Sequence, residues 1–357
     1  MSIDNQRKIT NYHQSFSDKA SQSSINPECS SGDVSSSYTT KACDKVLIIV
    51  PGYSVSNPPK IGDHHYYIDT LKFHPEKNPN GYKHIYLFDL YSKKDGRCNF
   101  TLSIPQLAQE LWKSITTSRD GWIFPTNCSI DFIGGSMGGL IVREFIRQFI
   151  QGDNLLPTIS WGSLCIDSIV LIATPNHGCK LIDKLHNPII QALLRFVYGR
   201  DNFSTSEQFQ QIGVGNQFVF GRLLRKIFRR KTPENNFLTE LNKENPITSK
   251  IRLVTLRGSK RNWLSLLLYG KKRSNDGVVE TSRVILEGAE NISDKDVDHS
   301  FSWNHRDLYQ SQEVCDLLYG LLILNFSLIE YRTQLVPLSN QSKVLALNPK
   351  FRNIALV

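Results

Sequence analysis

The stretch Ile130-Asp131-Phe132-Ile133-Gly134-Gly135-Ser136-Met137-Gly138-Gly139 decides how the rest of the chain is read. It opens on an apolar run rich in β-branched residues, the composition of a buried strand. It breaks on two glycines and a serine, then continues from Leu140 to Ile150 with apolar residues at helical spacing. Strand, sharp turn and helix, with Gly134-x-Ser136-x-Gly138 at the turn, is a setting that presents a serine hydroxyl. In so tight a turn the residues on either side are pressed against neighbouring backbone, which suits glycine. The helix N-terminus behind the serine favours developing negative charge. The competing reading is a structural turn between strand and helix.

The bulk properties frame this motif. The chain has 357 residues, 40% of them hydrophobic, enough for a substantial core and for a single α/β unit. Its formal charge of +9 favours anionic surfaces, phospholipid headgroups or nucleic acid among them. No nucleic-acid-binding module is recognisable. Seven cysteines at 29, 43, 98, 128, 165, 179 and 315 form no Cys-x-x-Cys pair, which fits reduced thiols in a cytoplasmic protein. The N-terminus lacks an apolar signal core, and the longest apolar run, Leu317 to Ile329, is too short for a membrane span. A soluble or peripherally membrane-bound protein is expected.

Residues 1–42 are polar and serine-rich and are expected to form a disordered tail. Lys45 to Val50 is a continuous apolar run, the signature of a strand covered on both faces, and it ends in Pro51-Gly52-Tyr53-Ser54. Residues 55–83 read as a polar loop, in which the adjacent His64 and His65 lack metal-ligand spacing. His84 to Leu90 is the next strand. Leu102 to Ser118 is an amphipathic helix with Pro105 in its first turn. After the serine turn, Asp167 to Pro175 forms another strand and runs into Asn176-His177-Gly178. The alternation predicts a mostly parallel sheet with helices on both faces. Ile251 to Gly258 and Val284 to Gly288 are expected as the late strands.

These segments together resemble lipase-type α/β-hydrolases, the group of bacterial triacylglycerol lipases and related lipid deacylases. The resemblance rests on Val50-Pro51-Gly52-Tyr53, Gly134 to Leu140, Ala173 to Gly178, Asn275-Asp276-Gly277-Val278-Val279 and Asn304-His305-Arg306-Asp307-Leu308, in that order. They span residues 44–325, so the expected domain runs over 43–325 with a C-terminal tail at 326–357. The chain departs from the lipase pattern at Pro51, where lipases usually carry histidine before the glycine.

The resemblance implies a serine ester hydrolase with no cofactor and no metal. Ser136 would be the nucleophile, supported by Gly134 and Gly138. The backbone N–H groups of Met137 and of Tyr53, after Gly52, would form the oxyanion hole. In this fold the acid and then the base follow the serine along the chain. Asp276, on a turn before an apolar pair, matches the acid; a plain Asp-Gly hairpin turn is the alternative. His299 and His305 lie late enough to be the base, and His305 matches the lipase pattern better. Glu280, Asp294, Asp296 and Asp298 remain as other acids, and the 294–298 cluster reads as a solvated loop.

Residues 178–245 separate two core elements, where lipases insert a helical lid. Within them Phe220, Leu223, Leu224, Ile227 and Phe228 recur at helical spacing, while Arg222, Arg225, Lys226, Arg229 and Arg230 fill the opposite face. Such a helix suits contact with an anionic membrane surface or, alternatively, a cap over the active site with its basic face in water. An acyl ester or lipid is the expected substrate. The competing functions are an acyltransferase or thioesterase using the same residues, and a non-catalytic lipid-binding scaffold.

Overall fold

Val46 to Val50 are buried without alternation, so this strand has to be covered on both faces. In the computed structural model of the protein it lies inside a six-stranded sheet. The described residues are 44–52, 65–90, 102–117, 120–125, 128–149, 165–185, 211–212, 236–243, 251–261, 266 and 274–334, all within one unit, Cys43–Val357. In chain order the described elements are β1 (Lys45–Val50), α1 (His65–Leu71), β2 (His84–Leu87), α2 (Ile104–Thr116), β3 (Ser129–Gly135), α3 (Met137–Phe149), β4 (Cys165–Ile172), α4 (Lys180–Leu185), α5 (Asn236–Lys243), β5 (Arg252–Arg257), α6 (Thr281–Val284), β6 (Glu290–Ser293), α7 (Asp294–Val297), α8 (Asp307–Gln310), α9 (Gln312–Leu322) and α10 (Leu328–Gln334). The strand order is β2-β1-β3-β4-β5-β6, and every neighbouring pair is parallel.

Successive side chains of a strand point to opposite faces, and here each set meets its own helices. Val46, Ile48, Val50, Phe132 and Leu171 pack with Leu107 and Leu111 of α2 and with Leu140 and Phe145 of α3. Leu47, Ile49, Ile133, Val170 and Leu256 pack with Tyr67 and Leu71 of α1 and with Val314, Leu317 and Leu318 of α9. The start of α2 is set locally. Ser103 accepts from the Gln106 N–H while the Gln106 side chain accepts from the Ser103 N–H, and Pro105 needs no partner in the first turn.

Three segments depart from the sequence reading. The stretch read as a polar loop contains α1, because Tyr67 and Leu71, one helical turn apart, bury themselves against the sheet. The expected last strand at Val284 to Gly288 is instead the end of α6 and a turn, and β6 follows at Glu290–Ser293. Val284 and Leu286 are buried and Ile285 is exposed, so the alternation is real. Gly288 turns the chain at φ 77°. The Asn291 side chain accepts from the Leu286 N–H at 2.9 Å and donates to the Leu286 carbonyl at 2.9 Å. It thereby satisfies backbone groups that a strand would have paired. Finally, α10 carries the chain past 326 as a helix, with Tyr331 buried.

Candidate active site

Parallel strands place their exits along one edge of a sheet, and the proposed residues collect there. Ser136 follows β3, Asp276 follows β5 and His305 follows β6. Ser136 holds φ at 49°, a conformation that a non-glycine residue adopts only under local constraint. The constraint is visible on three sides. The Ser136 N–H donates to the Ile172 carbonyl at the end of β4 at 2.7 Å. A Cβ on Gly52 would lie 2.8 Å from the Ser136 Cβ, so the loop leaving β1 passes directly against the serine. A Cβ on Gly138 would overlap the Val50 carbonyl, which lets the first turn of α3 seat on the end of β1. Met137 opens α3, so its N–H is one of the unpaired donors of a helix N-terminus.

Asp276 is buried, and its two oxygens have separate partners. Oδ1 accepts from the Val278 and Val279 N–H groups at 2.9 and 2.8 Å. Oδ2 lies 2.8 Å from His305 Nδ1. The His305 N–H also donates to the Asp276 carbonyl at 2.7 Å, so backbone and ring are anchored on the same residue. The His305 side chain remains partly open to solvent, at 23% exposure. His299 is exposed, and its carbonyl accepts from Lys295 Nζ. Of the two candidate histidines, the structure brings His305 to Asp276.

The other acids have structural partners. Glu280 is buried and pairs with Arg283 at 2.7 Å and Lys180 at 3.1 Å. Asp296 caps α7 by accepting from the Ser293 N–H and hydroxyl, and these bonds with Arg257 outweigh desolvation to hold its carboxyl low. Asp298 accepts from the Ser300 hydroxyl and N–H, which hold its carboxyl below the ordinary range. The reading of 294–298 as a solvated loop is corrected at Asp294, which is buried. Its Oδ2 accepts from the Ser259 N–H at 2.9 Å, the Ser259 hydroxyl at 2.8 Å and the Trp303 N–H at 2.9 Å. Asp294 thus ties the exit of β5 to the loop that carries His305.

A buried cation stands behind the strand–turn–helix elbow that carries Ser136. Arg143 of α3 is fully enclosed. It donates to Asn176 Oδ1 at 3.1 Å, the Leu241 carbonyl at 3.1 Å and Asn242 Oδ1 at 2.9 Å. Burial lowers its guanidinium to about 10, with Glu144 acting the other way. Asn242 in turn donates to the Asn176 carbonyl at 2.9 Å. α5 is therefore fastened to the loop leaving β4. His177, on that loop, has its imidazole held low by burial and by Arg143 and Arg283, against a backbone hydrogen bond to Ile285 that raises it. Arg143 carries no sequence signal, being one charged residue in an ordinary helical context, and Asp294 stands in the sequence only as one of several alternative acids. Tyr53, Arg222, Arg225, Lys226, Arg229 and Arg230 lie outside the described residues.

An all-parallel β2-β1-β3-β4-β5-β6 sheet with a strained serine between its third strand and the next helix is the α/β-hydrolase fold. No protein-family model matches the chain, and no curated protein matches it in sequence. Among solved structures, the chain is similar to the mature form of Bacillus licheniformis lipase BlEst2, with 16% identity and a TM-score of 0.46 over 79% of this chain and 93% of that one. It is similar to phospholipase PlaB from Legionella pneumophila, with 17% identity and a TM-score of 0.41 over 68% of this chain and 45% of that one. It is also similar to the RedJ thioesterase from the prodiginine biosynthetic pathway in Streptomyces coelicolor, with 12% identity and a TM-score of 0.39 over 78% of this chain and 85% of that one.

Proposed function

We propose that the chain is a serine hydrolase that cleaves acyl esters, lipids among them, through an acyl-enzyme on Ser136. The observation that carries this reading is the 2.8 Å contact between His305 Nδ1 and the buried Asp276, at the same sheet edge as a serine held at positive φ. An imidazole that gives its Nδ1–H to a buried carboxylate keeps Nε2 free as a base, and the resulting imidazolium is stabilised where it forms.

The reaction proceeds in two transfers. His305 Nε2 takes the Ser136 hydroxyl proton as Oγ attacks the ester carbonyl carbon. The carbonyl π-pair moves to oxygen, where the N–H groups of Met137 and Tyr53 receive it. The oxyanion collapses, the bond to the leaving alkoxide breaks, and His305 delivers the proton to that alkoxide. Water, deprotonated by His305, then attacks the acyl-serine; the bond from the acyl carbon to Oγ breaks, His305 returns the proton to Oγ, and the acid is released. Loss of one oxyanion donor typically costs on the order of 10²–10³ in rate.

Fluorophosphonate labelling of the wild type and of Ser136→Ala tests this. The expected result is labelling of the wild type alone. Labelling that persists in Ser136→Ala, or no labelling of either chain, overturns the assignment. Turnover of p-nitrophenyl esters of rising chain length then separates an esterase from a lipase. Contact of the basic 222–230 segment with membranes is part of the same proposal. Wild-type protein should co-sediment with anionic vesicles, and the Arg225→Glu, Arg229→Glu double variant should not. Equal binding of the two removes that role.

A further inference from the structure

We propose that Tyr309 is a positioning residue that holds the His305 imidazole in register with Ser136; this rests on the serine-hydrolase reading above. A single in-plane bond from Nδ1 to Asp276 leaves an imidazole free to tilt about that bond. A second contact is needed to fix the ring, and Tyr309 supplies it. The two rings meet edge to face, with centroids 5.7 Å apart and planes at 69°, an arrangement in which the positive edge of one ring meets the negative face of the other.

The same side chain is keyed to the elbow. A Cβ on Gly135 would lie 2.7 Å from Tyr309 Cε1, so the phenol ring rests on the backbone just before Ser136. The Tyr309 hydroxyl donates to the Ile172 carbonyl at 3.2 Å, the acceptor that also takes the Ser136 N–H. Base and nucleophile are thereby referenced to one carbonyl at the end of β4. The residue keeps partial solvent exposure, yet its hydroxyl end is enclosed. Burial first, then Tyr67 and Asp276, push the phenol well above its ordinary range, against the Ser136 N–H. It therefore serves as a neutral donor.

The turn that carries both residues is closed on itself. Asn304 Oδ1 accepts from the Arg306 and Asp307 N–H groups, and Asp307 Oδ2 accepts from the Asn304 N–H. Lys260 pairs with Asp307 at 3.1 Å. His305 and Tyr309, four residues apart, thus sit on one internally bonded turn. A residue that merely fills space at this position would affect folding without separating turnover from substrate binding.

The test uses Tyr309→Leu and Tyr309→Phe in the full chain. Ester turnover, thermal unfolding and the NMR signal of the His305 Nδ1–H are followed together. Tyr309→Leu is expected to lose kcat on the order of 10²-fold with KM within about twofold, because a base displaced by about an ångström is poorly aligned. Its Nδ1–H signal should broaden. Tyr309→Phe keeps the ring and should recover kcat to within about tenfold of wild type, the remaining loss reflecting one hydrogen bond. Wild-type turnover in Tyr309→Leu overturns the proposal, and so does a Tyr309→Phe as impaired as Tyr309→Leu. Should Tyr309→Leu fail to fold, Tyr309→Met, whose flexible side chain fills the same space, takes its place under the same outcomes. If the wild type is not labelled at Ser136, the hydrolase reading falls but the NMR signal still decides. A signal broadened in Tyr309→Leu supports positioning, and an unchanged signal rejects it.

Discussion

Asp131 and Asp276 are two buried carboxylates toward opposite ends of the same parallel sheet, and they are held in different ways. Asp131 lies in β3 where the register against β4 slips, so that Asp167 and Ser168 together face one residue. Its Oδ1 accepts the Ser168 N–H at 2.8 Å, and its Oδ2 accepts the Tyr82 hydroxyl at 2.5 Å. Lys45 stands 3.7 Å away and lies closer to Asp167, at 2.6 Å. The hydrogen bonds of Asp131 go to backbone and a buried phenol, with Lys45 a more distant ion-pair partner, so the carboxylate stitches a β-bulge. Asp276 commits one oxygen to backbone in the same manner, but the other faces an imidazole that reaches solvent. Burial of an acid therefore does not by itself mark chemistry; what sets Asp276 apart is that its second oxygen faces an imidazole rather than an amine, a hydroxyl or backbone.

The sharpest way to break that contrast is to neutralise each acid in turn. Asp276→Asn should still accept from Val278 and Val279 and should melt close to wild type. Ester turnover should fall on the order of 10⁴-fold, because the amide no longer accepts the Nδ1 proton. A large loss of stability without a loss of rate would make Asp276 a second stitch like Asp131. Asp131→Ala should do the opposite. It leaves the Tyr82 hydroxyl and the Ser168 N–H without an acceptor, at a cost of about 3 kcal/mol in denaturant unfolding, while the folded fraction turns over as wild type does.

Arg143 lies between these cases, since it is buried and close to the site without touching the pair. Arg143→Met should strand two buried acceptors and a half-buried one and cost about 2 kcal/mol. Because those acceptors fasten α5 to the loop leaving β4, KM should rise as well; a variant with lower stability and unchanged KM would place Arg143 with Asp131.

The smallest effect is a slope with pH. Burial raises the Asp131 carboxyl above its ordinary range, and Asp167 adds to the rise; Lys45, Tyr82 and the Ser168 N–H oppose it. The same carboxylates raise Lys45, where burial alone would lower it. Burial prevails at the fully enclosed acid and the ion pair prevails at the exposed amine. Between the ordinary carboxylate pKa and the raised one, the folded chain binds more protons than the unfolded chain. The stability contributed at Asp131 is thus full below the ordinary range and is lost as pH rises through the raised value. Asp131→Asn should flatten that part of the stability curve, and an unaltered slope would assign it to another group.

The site was unevenly legible in the sequence. The elbow is contiguous, so periodicity and glycine spacing expose it within ten residues. The Asp276 turn stood out only through its neighbours, and the sequence left His299 beside His305. The sequence predicts the last strand one turn too early because Val284, Ile285 and Leu286 form a short apolar run. Asp294 passed as one of several surface acids, although it binds the exit of β5 to the histidine loop. Tyr309 gave no signal, because an aromatic near a short helix is ordinary core composition.

What the sequence determined by itself is what short-range physics encodes: the apolar strands, the glycine-flanked serine and the capped helix after Ser103. The tertiary structure decided which histidine meets Asp276, which acids are buried, and where β6 enters the sheet. Those outcomes depend on where distant segments come to rest against one another. Asp276 and His305 are 29 positions apart, and Ile172 and Tyr309 are 137 apart. No local pattern spans such separations; packing does.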